Sequence, residues 1–136
     1  MKINHLIVGC LDLKKSAQFY CDLFGFTILE NFLDTGTRKE GLILKSYDAV
    51  NPLNILLVPV IKTRLPSPQH LAFEVEKNQF DGIFQKAQDL KITVRAEPSL
   101  FSQKEGLGEL EFHGQKYQHF FVCDPTLVNI EIMLKI

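Results

Sequence analysis

The sequence lacks most of what would tie it to nucleic acid, a membrane or a disulfide framework. Its formal net charge is −1, and its 15 Lys and Arg residues are scattered rather than striped, so there is no electrostatic footprint for nucleic acid or an anionic membrane. No apolar run approaches the roughly 20 residues of a membrane-spanning helix. Cysteines number three (Cys10, Cys21, Cys123), an odd count with no CxxC spacing, which suggests neither a disulfide framework nor a structural zinc site. G-x-S-x-G, P-loop, Rossmann and H-E-x-x-H patterns are all missing. Gly106-Leu107-Gly108 comes nearest to a phosphate loop, but it is too short and lacks a strand–helix context, so it reads as a mobile turn. The opening Met1-Lys2-Ile3-Asn4-His5 has neither the basic segment nor the long apolar stretch of a secretion signal, and a cytoplasmic protein is expected.

What is present is a chain of 136 residues, 46% hydrophobic and 23% charged, enough to bury one continuous core. It carries an internal repeat. His5-Leu6-Ile7-Val8 resembles His70-Leu71-Ala72-Phe73, and about twenty residues after each His stand Phe26-Thr27-Ile28 and Ile92-Thr93-Val94. Asn54-Ile55-Leu56-Leu57 then matches Asn129-Ile130-Glu131-Ile132. Three matches in one order argue for a duplicated module. The first module covers about residues 1–64 and the second about 69–136. Pro66-Ser67-Pro68 is the natural joint, because proline opposes both helix and central strand.

Each module reads the same way. Residues 2–9 form a strand, and Asp12 caps a helix running to about Phe24, with Leu13, Ala17, Tyr20 and Phe24 as its apolar stripe. Gly25 suits the left-handed position after that helix. Strands near 26–32, 40–46 and 53–60 follow. In the second module, 70–75 is a strand and Asn78 a cap for a helix that buries Phe80, Ile83, Phe84 and Ala87. Strands near 92–96, 108–113, 116–123 and 128–135 complete it. The expectation is an α+β protein of two βαβββ modules, their curved mixed sheets set around a cavity.

Strand parity decides which residues meet. Leu71, Phe73 and Val75 form one apolar face, leaving His70, Ala72 and Glu74 opposite. Val128, Ile130, Ile132 and Leu134 form another, leaving Asn129, Glu131, Met133 and Lys135 opposite. Ionisable residues therefore fall on the face turned away from the helix. Glu131 interrupts an apolar strand, and an unpaired carboxylate there would cost several kcal/mol, so it requires a cation, a donor network or a metal. The first module has Leu56 at that place, which can ligate nothing. Two strand-opening histidines, His5 and His70, with one carboxylate, Glu131, make a recurrent set for a divalent metal with open positions. Tyr117, His119, Phe121 and Cys123 share one parity, and His113 precedes a Gly114 turn. Glu131, His113, Tyr117 and His119 are the candidate catalytic groups, either His being able to act as acid or base near neutral pH.

These residues give the chain its likeness to a known family. Ile3-Asn4-His5-Leu6, Asp12-Leu13 with Ser16 and Phe19-Tyr20, Leu23-Phe24-Gly25-Phe26, His70-Leu71-Ala72-Phe73-Glu74-Val75, and Asp124-Pro125 followed seven residues after the Asp by Glu131 resemble the vicinal oxygen chelate superfamily. That superfamily includes glyoxalase I, extradiol dioxygenases, fosfomycin-resistance thiol transferases and bleomycin-binding proteins. The resemblance covers essentially the whole chain and is specific for the superfamily rather than for one activity. It implies that His5, His70 and Glu131 hold a divalent ion (Fe, Mn, Zn or Ni), and that the chain forms a homodimer, sites in some members being shared between two chains. Three departures stand out. Leu127-Val128 replaces the usual Gly-Asn, Leu56 stands where a fourth ligand could be, and Phe121 replaces the tyrosine of ring-cleaving dioxygenases, although His113 lies at about the distance of their histidine.

The expected function is a metal-dependent enzyme acting on a small-molecule substrate, by dioxygenase, isomerase, lyase or transferase chemistry. Its rivals are a metal-free protein that sequesters a ligand in the same hollow, and a noncatalytic interaction module.

Overall fold

The computed structural model describes residues 4–34, 38–47, 52–60, 70–98 and 103–136. The expected joint at Pro66-Ser67-Pro68 and the first three residues lie outside that set. The chain divides into two compact units, Met1–Ser67 and Pro68–Ile136.

The first unit runs β1 (His5–Cys10), α1 (Leu13–Phe24), β2 (Thr27–Leu33), β3 (Glu40–Lys45) and β4 (Asn54–Pro59). Its sheet has the order β1-β4-β3-β2, with β1 parallel to β4 and the other pairs antiparallel. The second unit runs β5 (His70–Glu74), α2 (Lys77–Asp89), β6 (Gly108–Phe112), β7 (Gln115–Cys123) and β8 (Asn129–Lys135). Its order, β5-β8-β7-β6, repeats the first, again with one parallel pair, β5 with β8. The architecture is α+β, as the sequence predicts: two four-stranded mixed sheets, each with one helix.

Registers make the repeat quantitative. His5 pairs with Asn54 and Ile7 with Leu56 in the first unit, while His70 pairs with Asn129 and Ala72 with Glu131 in the second. Leu56 and Glu131 thus occupy the same site of the same ladder. In each sheet the alternate residues are apolar and pack on the helix side. Ile55, Leu57, Ile130 and Ile132 are fully buried, each side chain contributing about 1.5–3 kcal/mol on leaving water. α1 packs on β3 and β4, and α2 on β8.

Helix ends follow the sequence with two shifts. Lys15 N–H donates to the Asp12 side chain at 3.0 Å, and Gly25, at φ 71°, closes α1 through its N–H to Cys21 O. The buried stripe is Ser16, Ala17, Tyr20 and Leu23 rather than the expected Leu13, Ala17, Tyr20 and Phe24. The face is rotated by about one position, so Leu13 and Phe24 flank it, half-buried. α2 is capped by Glu76, not Asn78: Glu76 N–H donates to the Gln79 side chain at 3.2 Å, as in a capping box. Phe80 and Phe84 of this helix meet Phe120 edge-on at 5.0 and 5.4 Å.

The larger correction concerns residues 92–96, expected as a strand. Only Arg95 joins the sheet there, exchanging backbone bonds with Phe121 at 3.0 and 2.8 Å. Its neighbours bond elsewhere, Val94 O accepting from Gly106 N–H and Ala96 N–H donating to Lys104 O. Arg95 faces Phe121 as Glu30 faces Ile43 in the first unit, and Gly108 faces His119 as Phe32 faces Gly41. The place of β2 is therefore filled in the second unit by two stretches, one at Arg95 and one beginning at Gly108. Gly106-Leu107-Gly108, expected as a turn, is where the chain re-enters the sheet.

Candidate functional site

The face of the second sheet turned away from α2 carries His70, Ala72 and Glu74 on β5, Asn129, Glu131 and Met133 on β8, and Tyr117, His119, Phe121 and Cys123 on β7. Alternation along each strand requires this once the registers are fixed.

Glu131 is at its centre and only 6% exposed. Both of its oxygens are engaged: Oε2 lies 3.0 Å from His70 Nε2, and Oε1 lies 2.5 Å from His119 Nδ1. His119 is itself 8% exposed, whereas the His70 side chain stands open to solvent. The carboxylate is thus held from the buried side by one imidazole and faces the other on the open side. The Phe121 ring touches both imidazoles edge-on, at 5.6 Å from His70 and 5.2 Å from His119. Next along the face, the Tyr117 hydroxyl donates to Glu74 Oε2 at 3.3 Å. Desolvation, then the charge and hydrogen bond of Glu74, hold that hydroxyl above its usual range, so at neutral pH it is a donor and not a base. Cys123 Sγ donates to Asn129 Oδ1 at 3.4 Å.

The turn entering β8 is built on Asp124, whose carboxylate accepts from the N–H groups of Thr126 and Val128 at 2.8 and 2.9 Å. It requires Leu127 at φ 70°, the left-handed region where glycine is at ease. Here a leucine adopts a conformation that favours glycine.

Of the residues singled out in the sequence, the structure brings together His70, Glu131 and His119, with Tyr117 one strand repeat from His119. His5 opens β1 in the first unit, exposed, with Nδ1 2.9 Å from Asn4 Oδ1. Beside it in register, Asn54 Oδ1 is buried without a partner among the described residues. His113 and Gly114, at φ 50° and 74°, form the two-residue turn of the β6–β7 hairpin, which places His113 at its exposed tip. The contact between His119 and Glu131 was open to sequence reasoning only through the β7–β8 register, in which Phe121 opposes Glu131 and His119 lies one repeat away.

Among the described residues no group of three or more His, Cys, Asp or Glu side chains converges as a metal centre. The pair His70–Glu131 nevertheless fits a divalent ion. His70 Nε2 and Glu131 Oε2 are atoms of the types that ligate divalent metals, and they lie 3.0 Å apart at hydrogen-bond distance. Their open side faces solvent, and the far carboxylate oxygen already has a donor, as ligating carboxylates commonly do.

Comparison with known proteins identifies the family. Residues 2–130 match the family model described as the Glyoxalase/Bleomycin resistance protein/Dioxygenase superfamily. The chain belongs to that superfamily. The match stops one residue short of Glu131, so the standing of that carboxylate rests on strand register and contacts. Solved structures of the superfamily agree in fold. The oxidase ChaP-H2 is 25% identical with a TM-score of 0.71, over 98% of this chain and 93% of that one. The fosfomycin resistance protein FosX from Listeria monocytogenes is 12% identical with a TM-score of 0.68, over 98% and 93%. TnmS3, an antibiotic binding protein from Streptomyces sp. CB03234, is 16% identical with a TM-score of 0.68, over 100% and 97%. A comparison with curated proteins finds no match.

Proposed function

We propose that the chain is a metal-dependent enzyme acting on a small oxygenated molecule, with His70 and Glu131 of the second module among the ligands to a divalent ion. The observation that carries this reading is the His70 Nε2–Glu131 Oε2 pair, 3.0 Å apart and open on one side, with its other oxygen held by a buried imidazole. When bound, the ion would act as a Lewis acid on a substrate held through one or two oxygens. The protein's own part is to fix the ligand orientations, to present Phe121 as an apolar wall and to keep Tyr117 protonated as a donor beside Glu74. Phe121 offers no hydroxyl for ring-cleaving chemistry. The oxidase ChaP-H2, at 25% identity, favours an oxidative reaction over isomerase, lyase or thiol-transfer chemistry. The reading includes a homodimer in the cytoplasm, for which light scattering at micromolar concentration is the test. No helix among the described residues is long and apolar enough to cross a membrane.

One observation favours a second reading, a metal-free binding protein. His70 and His119 already satisfy both oxygens of Glu131, and TnmS3 is an antibiotic binding protein on this fold. Elemental analysis of protein purified without chelator or affinity-tag nickel separates the two. The enzyme reading expects about one equivalent of a divalent metal per chain, lost on His70→Ala; metal-free protein that also refuses added Fe, Mn, Zn and Ni supports the binder.

A further inference from the structure

A carboxylate ligand can rotate about its last bond, and a ligand that rotates pays an entropic penalty each time it is fixed. Glu131 is restrained, and the restraint has a built origin. His119 is buried on β7 with Nδ1 2.5 Å from Oε1. An ionised carboxylate oxygen only accepts, so with Glu131 ionised this bond requires the proton on Nδ1. The Phe121 ring packs edge-on against the imidazole at 5.2 Å and fixes its plane. On the far side the imidazole lies over Gly108, its cross-strand partner. A Cβ at Gly108 would stand 2.5 Å from His119 Nε2 and 2.7 Å from the backbone oxygen of Ala96, so only glycine leaves room for the ring where it is.

The first unit shows that this is a choice and not a demand of the fold. The same ladder position there is Phe32 opposite Gly41, the large and small partners exchanged. A Cβ at Gly41 would meet the Phe32 ring at 2.7 Å. Both units thus need one small residue in this pair, but only the second uses the space to bring an imidazole to the carboxylate.

We infer that His119 is a positioning residue: by donating from Nδ1 to Oε1 it holds Glu131 so that Oε2 alone faces His70, and Gly108 is the residue that makes room for it. The inference rests on the reading of His70 and Glu131 as ligands for its functional meaning, but the positioning itself is a property of the metal-free protein. It gives His119 a role distinct from proton transfer to substrate. The ring acts through Glu131.

Two measurements test it. The first is 15N–1H NMR of imidazole-labelled, metal-free protein. His119 is expected as the Nδ1–H tautomer with its proton coupled to the Glu131 carboxylate, and an Nε2–H tautomer would overturn the inference whatever the metal does. The second is calorimetric titration with zinc(II) of the wild type and of His119→Ala, His119→Asn and His119→Gln, each checked for folding by circular dichroism. Loss of a group that orients a ligand typically weakens metal binding about 10–100-fold, and that is the loss expected for His119→Ala. The Asn amide nitrogen falls near the position of Nδ1, so His119→Asn restores binding to within a few-fold. The Gln amide reaches beyond it and does not. Equal affinities for wild type and His119→Ala, or equal rescue by Asn and Gln, refute the positioning role. If the tautomer is as expected but wild type takes up no zinc, the ligand reading of the site fails while the orientation of Glu131 by His119 stands.

Discussion

The two sheets share strand order and register, yet their outward faces differ in chemistry. On the first, Ile7, Ile43, Leu56 and Phe32 give an apolar centre flanked by His5, Asn54, Lys45 and Glu30, Ile7 being 62% exposed. On the second, His70, Glu131 and His119 form a hydrogen-bonded triad and Tyr117 and Glu74 a separate pair. The helix-side residues of both are alike. The two units share what packs the core and differ on the other face, notably at Leu56 against Glu131, Gly41 against His119, and Phe32 against Gly108. Scaffold and site are separable here, because strand alternation puts them on opposite sides of one backbone.

The sharpest way to break this comparison is to move a charge by one residue. Leu57→Glu places a carboxylate on the fully buried helix side of β4 and should cost at least about 3 kcal/mol in urea unfolding. Leu56→Glu puts the same group on the outward face, where Leu56 is half-buried, at less than about 1.5 kcal/mol. Equal losses would mean that Leu56 belongs to the core and is no counterpart of Glu131.

Gly108→Ala probes the second unit's own solution. The added methyl meets a ring nitrogen and a backbone oxygen within 2.7 Å, so overpacking of about 1–3 kcal/mol is expected. Gly82→Ala in α2, where a Cβ meets nothing within 4 Å, should instead stabilise by up to about 1 kcal/mol. If both substitutions are neutral, Gly108 is not there to make room.

Much of this was legible beforehand. His5 with His70 and Asn54 with Asn129 revealed the repeat because they open paired strands, where register fixes them. Parity then gave the outward face, since β5 and β8 alternate cleanly. The split of the β2 counterpart was not legible: Ile92-Thr93-Val94 has the composition of a strand, and only the competing bonds of Val94 and Ala96 to residues 106 and 104 show why a single residue joins the sheet. The partner of Glu131 was likewise hidden. His119 stood among four candidates of one parity, and choosing it requires the β7–β8 register, which the loop at Asp124 sets and composition does not.

That loop offers a smaller test. Leu127 is 73% exposed at φ 70°, so left-handed strain of about 1–2 kcal/mol is offset by almost no packing. Leu127→Gly relieves it but adds backbone entropy to the unfolded chain, for a net gain of about 0.5–1 kcal/mol. A melting temperature that does not rise would show that the leucine is not strained.

The smallest expected effect is electrostatic. The Tyr117 hydroxyl is held above its ordinary value of 10.0 by desolvation and by Glu74. The folded state therefore keeps a proton that the unfolded chain gives up, so this contribution is fully present below pH 10 and is lost as pH rises through the raised value. Tyr117→Phe should flatten the alkaline decline in stability above pH 10. A decline of the same steepness in both proteins would put its origin elsewhere.

One carboxylate on a shared ladder position distinguishes the outward face of the second sheet from that of the first, and metal binding is expected to depend on it. Glu131→Leu gives the second unit the residue that the first already has. Calorimetric titration of wild type and this variant with manganese(II) and zinc(II) tests the claim directly. About one equivalent is expected to bind to wild type, with at least a 100-fold weaker affinity in Glu131→Leu and the fold retained by circular dichroism. Binding of equal strength in the two proteins would contradict it.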